Sequence, residues 1–380
     1  MASSTTDAPP HEIYLIPGFF GFSALGKISY FHHVAEALTT AFDRHDCEVS
    51  IYPVGTLPTA SIPSRVENLA GSIKEHGDPE ATVDLIGHST GGLDARLLAT
   101  PGFSVAGVDK APFQERVGSV VTVSTPHFGT PSASVFDGLF GQKLLYVLSL
   151  GTIFTLRFGQ LPLKVLFKLV GLLTKLDNQV GLRGTVLDQF HEGLFSQFDP
   201  QLRAEIREFL NHIVADRSAL GQLTPGSIDL FNAAVNDHPD IDYGCVVTRT
   251  PTPAWRHVTA SGLNPYKQAS YGLFQVLRQI AGRGKLKIPE SVMAKRPQLK
   301  AGYDSEPDSS DSDGMVPTLS QVWGRVISSI SADHLDVCGH FDEPEHEPPH
   351  IDWLVSGSQF RRPQFEAVWE DVAEFVLEAE

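Results

Sequence analysis

The six residues Gly87-His88-Ser89-Thr90-Gly91-Gly92 constrain this chain more than any other stretch. They follow residues 82–86 (TVDLI), which read as a buried strand, and lead into residues 90–99, whose spacing is helical. A strand that turns at G-x-S-x-G into a helix holds its serine at the apex, and the flanking glycines relieve crowding in the turn. Ser89 is the candidate nucleophile. A serine hydroxyl attacks poorly until a base removes its proton. The peptide N–H of Thr90, at the helix start, is placed to receive negative charge on an acyl oxygen.

The rest of the chain supplies a frame for that turn. Residues 11–16 (HEIYLI) read as a strand running into the loop 17–21 (PGFFG). The N–H of Phe19 is the expected second oxyanion donor, and Phe20 and Phe22 are expected in the acyl pocket. Residues 47–52, 117–123 and 243–250 read as further strands. Residues 64–75 read as a helix, with Ser64 as N-cap and Glu67 closing a capping box. Helices are also expected over 199–216 and, from the apolar stripe Phe365, Val368, Trp369, Val372, Phe375 and Val376, over 363–378. Short strands alternating with helices predict an α/β fold, a mainly parallel sheet covered on both faces.

A chain of 380 residues is long for one compact domain. The excess lies in an apolar segment. Residues 139–173 are rich in Leu, Phe and Val, with Lys143, Arg157, Lys164 and Lys168 among them. Only 13 residues separate Lys143 from Arg157, whereas a membrane span needs about 20. Gly151, Gly159, Pro162 and Gly171 divide the region into short pieces. The reading is a helical cap or lid over 133–198 on a core of 11–132 and 199–380, with no transmembrane segment. Its cations can face lipid headgroups and its leucines an apolar substrate. A buried insertion that never moves is the alternative.

Composition narrows the partners. Lys and Arg number 29 against 45 Asp and Glu, a formal charge of −16. Without a local basic patch, that excludes nucleic acid. Cys47, Cys245 and Cys338 form no CxxC pair, so a disulfide framework or zinc knuckle is not expected. Residues 1–10 lack a basic start followed by an apolar run, so no signal peptide is expected, as in a cytoplasmic protein or the mature form of a secreted one. The sequence shows no dinucleotide loop, Walker motif or HExxH helix, and the chemistry implied by Ser89 requires no cofactor.

A base and its orienting acid are expected later in the chain, acid first. His334, in residues 331–336 (SADHLD), lies on a late connection that can return to Ser89. Asp313, in residues 312–317 (SDGMVP), can hold the far imidazole nitrogen and fix the useful tautomer. Asp311 is the near competitor.

These segments together carry a resemblance. Residues 13–21 (IYLIPGFFG), 83–99 (VDLIGHSTGGLDARLLA), 120–133 (VVTVSTPHFGTPSA), 223–235 (LTPGSIDLFNAAV), 312–317 (SDGMVP) and 333–337 (DHLDV) resemble the bacterial triacylglycerol lipases and carboxylesterases of the α/β-hydrolase fold. Pro17 stands where the family usually has histidine. The resemblance implies Ser89, Asp313 and His334 as catalytic triad, and Phe19 and Thr90 as oxyanion pair. It places His127 and Phe128 near the site and makes 133–198 the cap insertion. It implies a hydrophobic ester or lipid-interface substrate, cleaved through an acyl-enzyme. A polyester hydrolase, a soluble short-chain esterase and a non-catalytic hydrophobic-ligand module are the rivals. It also implies a structural calcium at Asp336, although His340 stands where the family carries glutamine and calcium prefers oxygen. Residues 304–314 read as an exposed acidic loop without an EF-hand pattern. Residues 340–352 hold His340, Asp342, Glu343, Glu345, His346, Glu347, His350 and Asp352, groups able to bind zinc. Broken by Pro344, Pro348 and Pro349, they read first as a polar surface loop.

Overall fold

The computed structural model describes residues 9–19, 24–25, 28–102, 113–137, 139–158, 160–173, 193–216, 218–253, 264–284, 286–345, 352 and 354–379. Its centre is a sheet of six strands: β1 (His11–Ile16), β2 (Val49–Pro53), β3 (Thr82–His88), β4 (Val117–Val123), β5 (Asp242–Arg249) and β6 (Arg325–Ser331). The spatial order is β2-β1-β3-β4-β5-β6, and every pair is parallel. Parallel strands need crossovers, which here carry helices onto both faces. The inner strands are therefore apolar on both sides. All six residues of β1 are buried, as are Val120, Val121 and Val123 of β4. This is the predicted α/β architecture.

Several helix boundaries move. The helix read from Ser64 begins one turn earlier, at Ile62, with Ser61 as N-cap accepting from the Ser64 N–H. Pro63 in the first turn needs no intrahelical donor partner, so the start lies before it. The final helix, Arg362–Leu377, buries its whole apolar stripe, with Phe365 and Trp369 at 0% exposure. Each such side chain contributes about 1.5–3 kcal/mol by burial. Residues 283–312 hold short helices at Glu290–Met293 and Arg296–Leu299, whose Val292 and Leu299 pack on Cys245 and Val247 of β5.

The predicted cap contains helices Pro131–Asp137, Leu139–Phe158 and Leu163–Leu173. Gly151 and Gly171 do not break them. A mid-helix glycine costs about 1 kcal/mol, which tertiary packing readily offsets, and a Cβ on Gly151 would sit 3.6 Å from Leu161. Leu163–Leu173 packs against helix Pro265–Ala281 through the buried Leu166 and Leu169. Among the described residues no helix is long and apolar enough to cross a membrane.

Candidate active site

Strand β3 ends at His88 and helix Thr90–Ala99 begins two residues later, with Ser89 alone between them. Ser89 makes the turn with φ 54° and ψ −124°, a conformation costly for any residue with a Cβ. The turn is tight enough to demand glycine beside it. A Cβ on Gly87 would lie 2.3 Å from the Gly91 backbone, and one on Gly91 would lie 2.2 Å from the Ile16 carbonyl oxygen.

The structure brings Ser89 and His334 together across 245 positions of sequence. Ser89 Oγ is 3.0 Å from His334 Nε2, and His334 Nδ1 is 2.7 Å from Asp313 Oδ2. Asp313 is fully buried and richly solvated by protein. Its Oδ1 accepts from the N–H groups of Met315 and Val316, and its Oδ2 from Thr248 Oγ1 and Gln321 Nε2. Asp311 points elsewhere. It is held by Arg249 at 3.2 Å and Arg278 at 3.3 Å. The expectation of an exposed acidic loop is thus corrected at its end, where residues 311–314 are buried because two arginines and a hydrogen-bonded turn neutralise them.

The loop after β1 is fixed by groups that no sequence motif singled out. Buried Arg65 donates to the carbonyls of Pro17, Gly18 and Leu57 while pairing with Asp94 at 2.7 Å. Burial pushes the Asp94 carboxyl up to about 6 against the pull of Arg65. Tyr30 Oη accepts the Gly18 N–H at 3.0 Å and lies 2.7 Å from His88 Nδ1. His88 Nε2 is 2.8 Å from the His334 carbonyl oxygen. Burial, then the neighbouring His334, holds the His88 pKa well below the ordinary histidine value, so the ring is neutral. A carbonyl only accepts, so His88 donates from Nε2 and its Nδ1 accepts a hydrogen bond from the Tyr30 hydroxyl. One hydrogen-bonded chain therefore links the Gly18 peptide to the backbone of His334. Sequence offered two signals for it: His88 is the variable residue inside G-x-S-x-G, and Tyr30 follows the first loop.

A cavity opens beside Ser89, Thr90, Phe19 and His334. Its walls are apolar: Phe136 from helix Pro131–Asp137, Leu145 from helix Leu139–Phe158, Leu220 and Leu223, Val316 and Leu335. Phe20 and Phe22 lie outside the described residues. His127 and Phe128, expected in the substrate pocket, are not among the residues that line this cavity. His127 is fully buried, accepting from Arg96 at Nδ1 and facing Thr122 Oγ1 at Nε2, both at 3.1 Å. Both rings pack on Trp323, over which the Arg96 guanidinium also stacks at 3.4 Å. Phe128 packs there with Cys245 and Val247 of β5.

Asp336 is fully buried, and the fold sets Asp333 and Asp352 beside it, one carboxylate oxygen of each within 4.8 Å of the others. Burial raises all three carboxyls, Asp333 to about 6 and the others well above the ordinary value. Among the described residues no salt bridge reaches them. Three oxygen donors suit a hard divalent cation. His340 is not among them. It sits 2.7 Å from the Tyr30 carbonyl and stacks on His32.

No protein-family model matches the chain, and no curated protein matches it in sequence. Solved structures do match. EstA from Clostridium botulinum is 18% identical with a TM-score of 0.54, covering 98% of this chain and 89% of that one. Lipase 1 from Pelosinus fermentans is 15% identical with a TM-score of 0.52, covering 97% of this chain and 98% of that one. At such identities the shared property is the fold alone, a parallel six-stranded sheet covered by helices, as in the α/β-hydrolase fold.

Proposed function

We propose that this protein is a serine hydrolase of carboxylic esters with an apolar acyl group, acting through an acyl-enzyme. The observation that carries the reading is the Ser89–His334–Asp313 hydrogen-bonded series at the mouth of an apolar cavity. His334 accepts the Ser89 proton as the hydroxyl attacks the ester carbonyl, and Asp313 steadies the imidazolium. The N–H groups of Phe19 and Thr90 take the oxyanion. His334 returns the proton to the leaving alcohol, and water then releases the acid by the same route. The similar structure from Pelosinus fermentans, described as a lipase, agrees with this reading.

Residues 133–198 act as a lid that meets lipid interfaces. Phe158, Leu163 and Phe167 are exposed beside exposed Arg157, Lys164 and Lys168, an apolar and cationic face suited to an emulsion surface. Rates on p-nitrophenyl esters from acetate to palmitate, soluble and emulsified, test both statements. Long chains are expected to win, and Phe158→Ser/Phe167→Ser is expected to lose emulsion activity while keeping soluble-ester activity. Equal loss on both would remove the lid role, and a parent inactive on all chain lengths would remove the hydrolase. A preference for acetate would favour a soluble esterase.

Tyr30→Phe removes the hydroxyl that serves both Gly18 and His88 and leaves two buried polar groups unpaired, at about 1–3 kcal/mol. Because that loop aims the Phe19 N–H, kcat is expected to fall about tenfold or more with KM little changed. A pure KM effect in steady-state kinetics would contradict this.

Asp333, Asp336 and Asp352 hold a structural calcium ion that steadies the loop bearing His334. Calcium at 100 times its Kd adds about 2.7 kcal/mol of stability. Chelation is therefore expected to lower the melting temperature, calcium to restore it, and Asp336→Asn to abolish the response. A melting curve indifferent to chelator and calcium would exclude the site.

A further inference from the structure

Among the described residues of the polar segment 340–352, the fold distributes the side chains rather than gathering them in one site; His346, Glu347 and His350 lie outside the described residues. Asp352 goes to the aspartate cluster, Asp342 pairs with Lys267 and Arg361, and Glu343 crosses to His32 and His33 at the start of helix Val34–Arg44. We propose that His32, His33 and Glu343 form a second metal site, for zinc or a similar borderline transition ion, distinct from the calcium cluster and from the active site.

One ligand atom of each of the three residues lies within 4.8 Å of the others. Consecutive side chains normally diverge. Here His33 takes the left-handed conformation, φ 62°, and the two imidazole rings close to 3.8 Å between centroids. Such a conformation is strained outside glycine, and it places both rings toward Glu343. His33 Nε2 is 3.1 Å from Glu343 Oε2, and its Nδ1 is 3.1 Å from Glu36 Oε2. That is how a metal-ligating histidine is usually oriented, one nitrogen toward the metal and the other donating to a carboxylate. Arg362 approaches the far oxygen of Glu343 at 3.6 Å and Glu36 at 3.3 Å, anchoring both carboxylates from behind.

Two imidazoles and one carboxylate, with room for water, match a tetrahedral zinc-class ion, while the nitrogen donors disfavour calcium and magnesium. The ion clamps two segments that already touch. The His32 N–H donates to the Cys338 carbonyl at 2.8 Å, and His340 reaches the Tyr30 carbonyl. The clamp therefore braces the segment carrying Tyr30 against the segment that follows His334. Without a metal role, the same residues would be a hydrogen-bonded cluster of imidazoles and carboxylates, which is the competing outcome.

The test uses the full chain, stripped with chelator and titrated with zinc chloride by calorimetry, in parallel with calcium chloride. One zinc per chain is expected, with a rise in melting temperature. His33→Asn keeps a residue that tolerates the left-handed backbone, and Glu343→Gln keeps shape. Each is expected to weaken zinc binding by well over tenfold, and Glu36→Gln, behind the ligand, by about tenfold. Asp336→Asn should leave zinc binding intact. Cobalt loading should give the visible absorption of a tetrahedral ion, lost in the same variants. No saturable zinc binding by the parent would overturn the site. So would zinc binding unchanged in both His33→Asn and Glu343→Gln, the result expected if an exposed group such as His45, Glu370 and Glu374 were the true ligand set. Neither readout depends on ester hydrolysis, so failure here leaves the hydrolase reading standing.

Discussion

Ser89→Ala is expected to lower kcat on a chromogenic ester by about five to six orders of magnitude, the scale seen when a hydrolase loses its nucleophile. The arrangement offers no substitute. Among the cavity-lining residues, Thr90 is the first residue of the helix and Thr130 and Ser132 hydrogen-bond to the Met315 carbonyl. The same position carries a stability prediction of opposite sign. Ser89 holds φ 54° at a site where a Cβ is strained, so Ser89→Gly should raise stability by about 1–3 kcal/mol while abolishing activity. Thermal melts and ester assays on the three proteins test both statements. A Ser89→Ala enzyme with more than a thousandth of parental kcat would remove Ser89 from the mechanism. A Ser89→Gly protein that melts lower would remove the strain argument.

Asp313→Asn is expected to cost about 10⁴-fold in kcat. The His334 Nδ1–H now donates to a carboxylate oxygen that also accepts from Thr248 and Gln321. An amide there must turn its NH2 either toward the N–H groups of Met315 and Val316, which now donate to the other oxygen, or toward His334. The second choice forces the wrong imidazole tautomer, with Nε2 protonated and unable to accept from Ser89. Asp311→Asn is the contrast. It breaks the pairs with Arg249 and Arg278, leaves two guanidinium groups poorly compensated and should cost about 3–5 kcal/mol of stability. Activity per folded molecule should stay within a few fold. If Asp311→Asn loses activity and Asp313→Asn keeps it, the acid has been assigned to the wrong residue.

The sheet is legible in the sequence because its signals are local. Continuous apolar runs at 11–16, 82–86 and 117–123 can be satisfied only by burial on both faces, and parallel pairing follows from the helices between them. The serine turn is legible for the same reason: Gly87 and Gly91 answer clashes within a few residues of Ser89. Helix starts are less secure. Ser61 and Ser64 are both acceptable caps, and Pro63 between them decides.

Long-range pairings are not legible. Nothing near His127 in sequence announces that Arg96 and Trp323 will enclose it, so a histidine beside a candidate site was expected in the pocket. Nothing near Asp336 announces Asp352, and nothing near Glu343 announces His32 and His33. The linkage through Tyr30 and His88 likewise joins a loop near residue 18 to one near residue 334.

The sequence by itself determined the class of sheet, the apex serine and a short set of acids and histidines able to serve it. Periodicity and turn chemistry act over a few residues, and those features need no more. The tertiary structure decided which acid faces His334, which aromatic rings wall the cavity and where the late polar residues are shared out. Each of those choices depends on which desolvated groups find partners across the sheet, and that is a property of the packed chain.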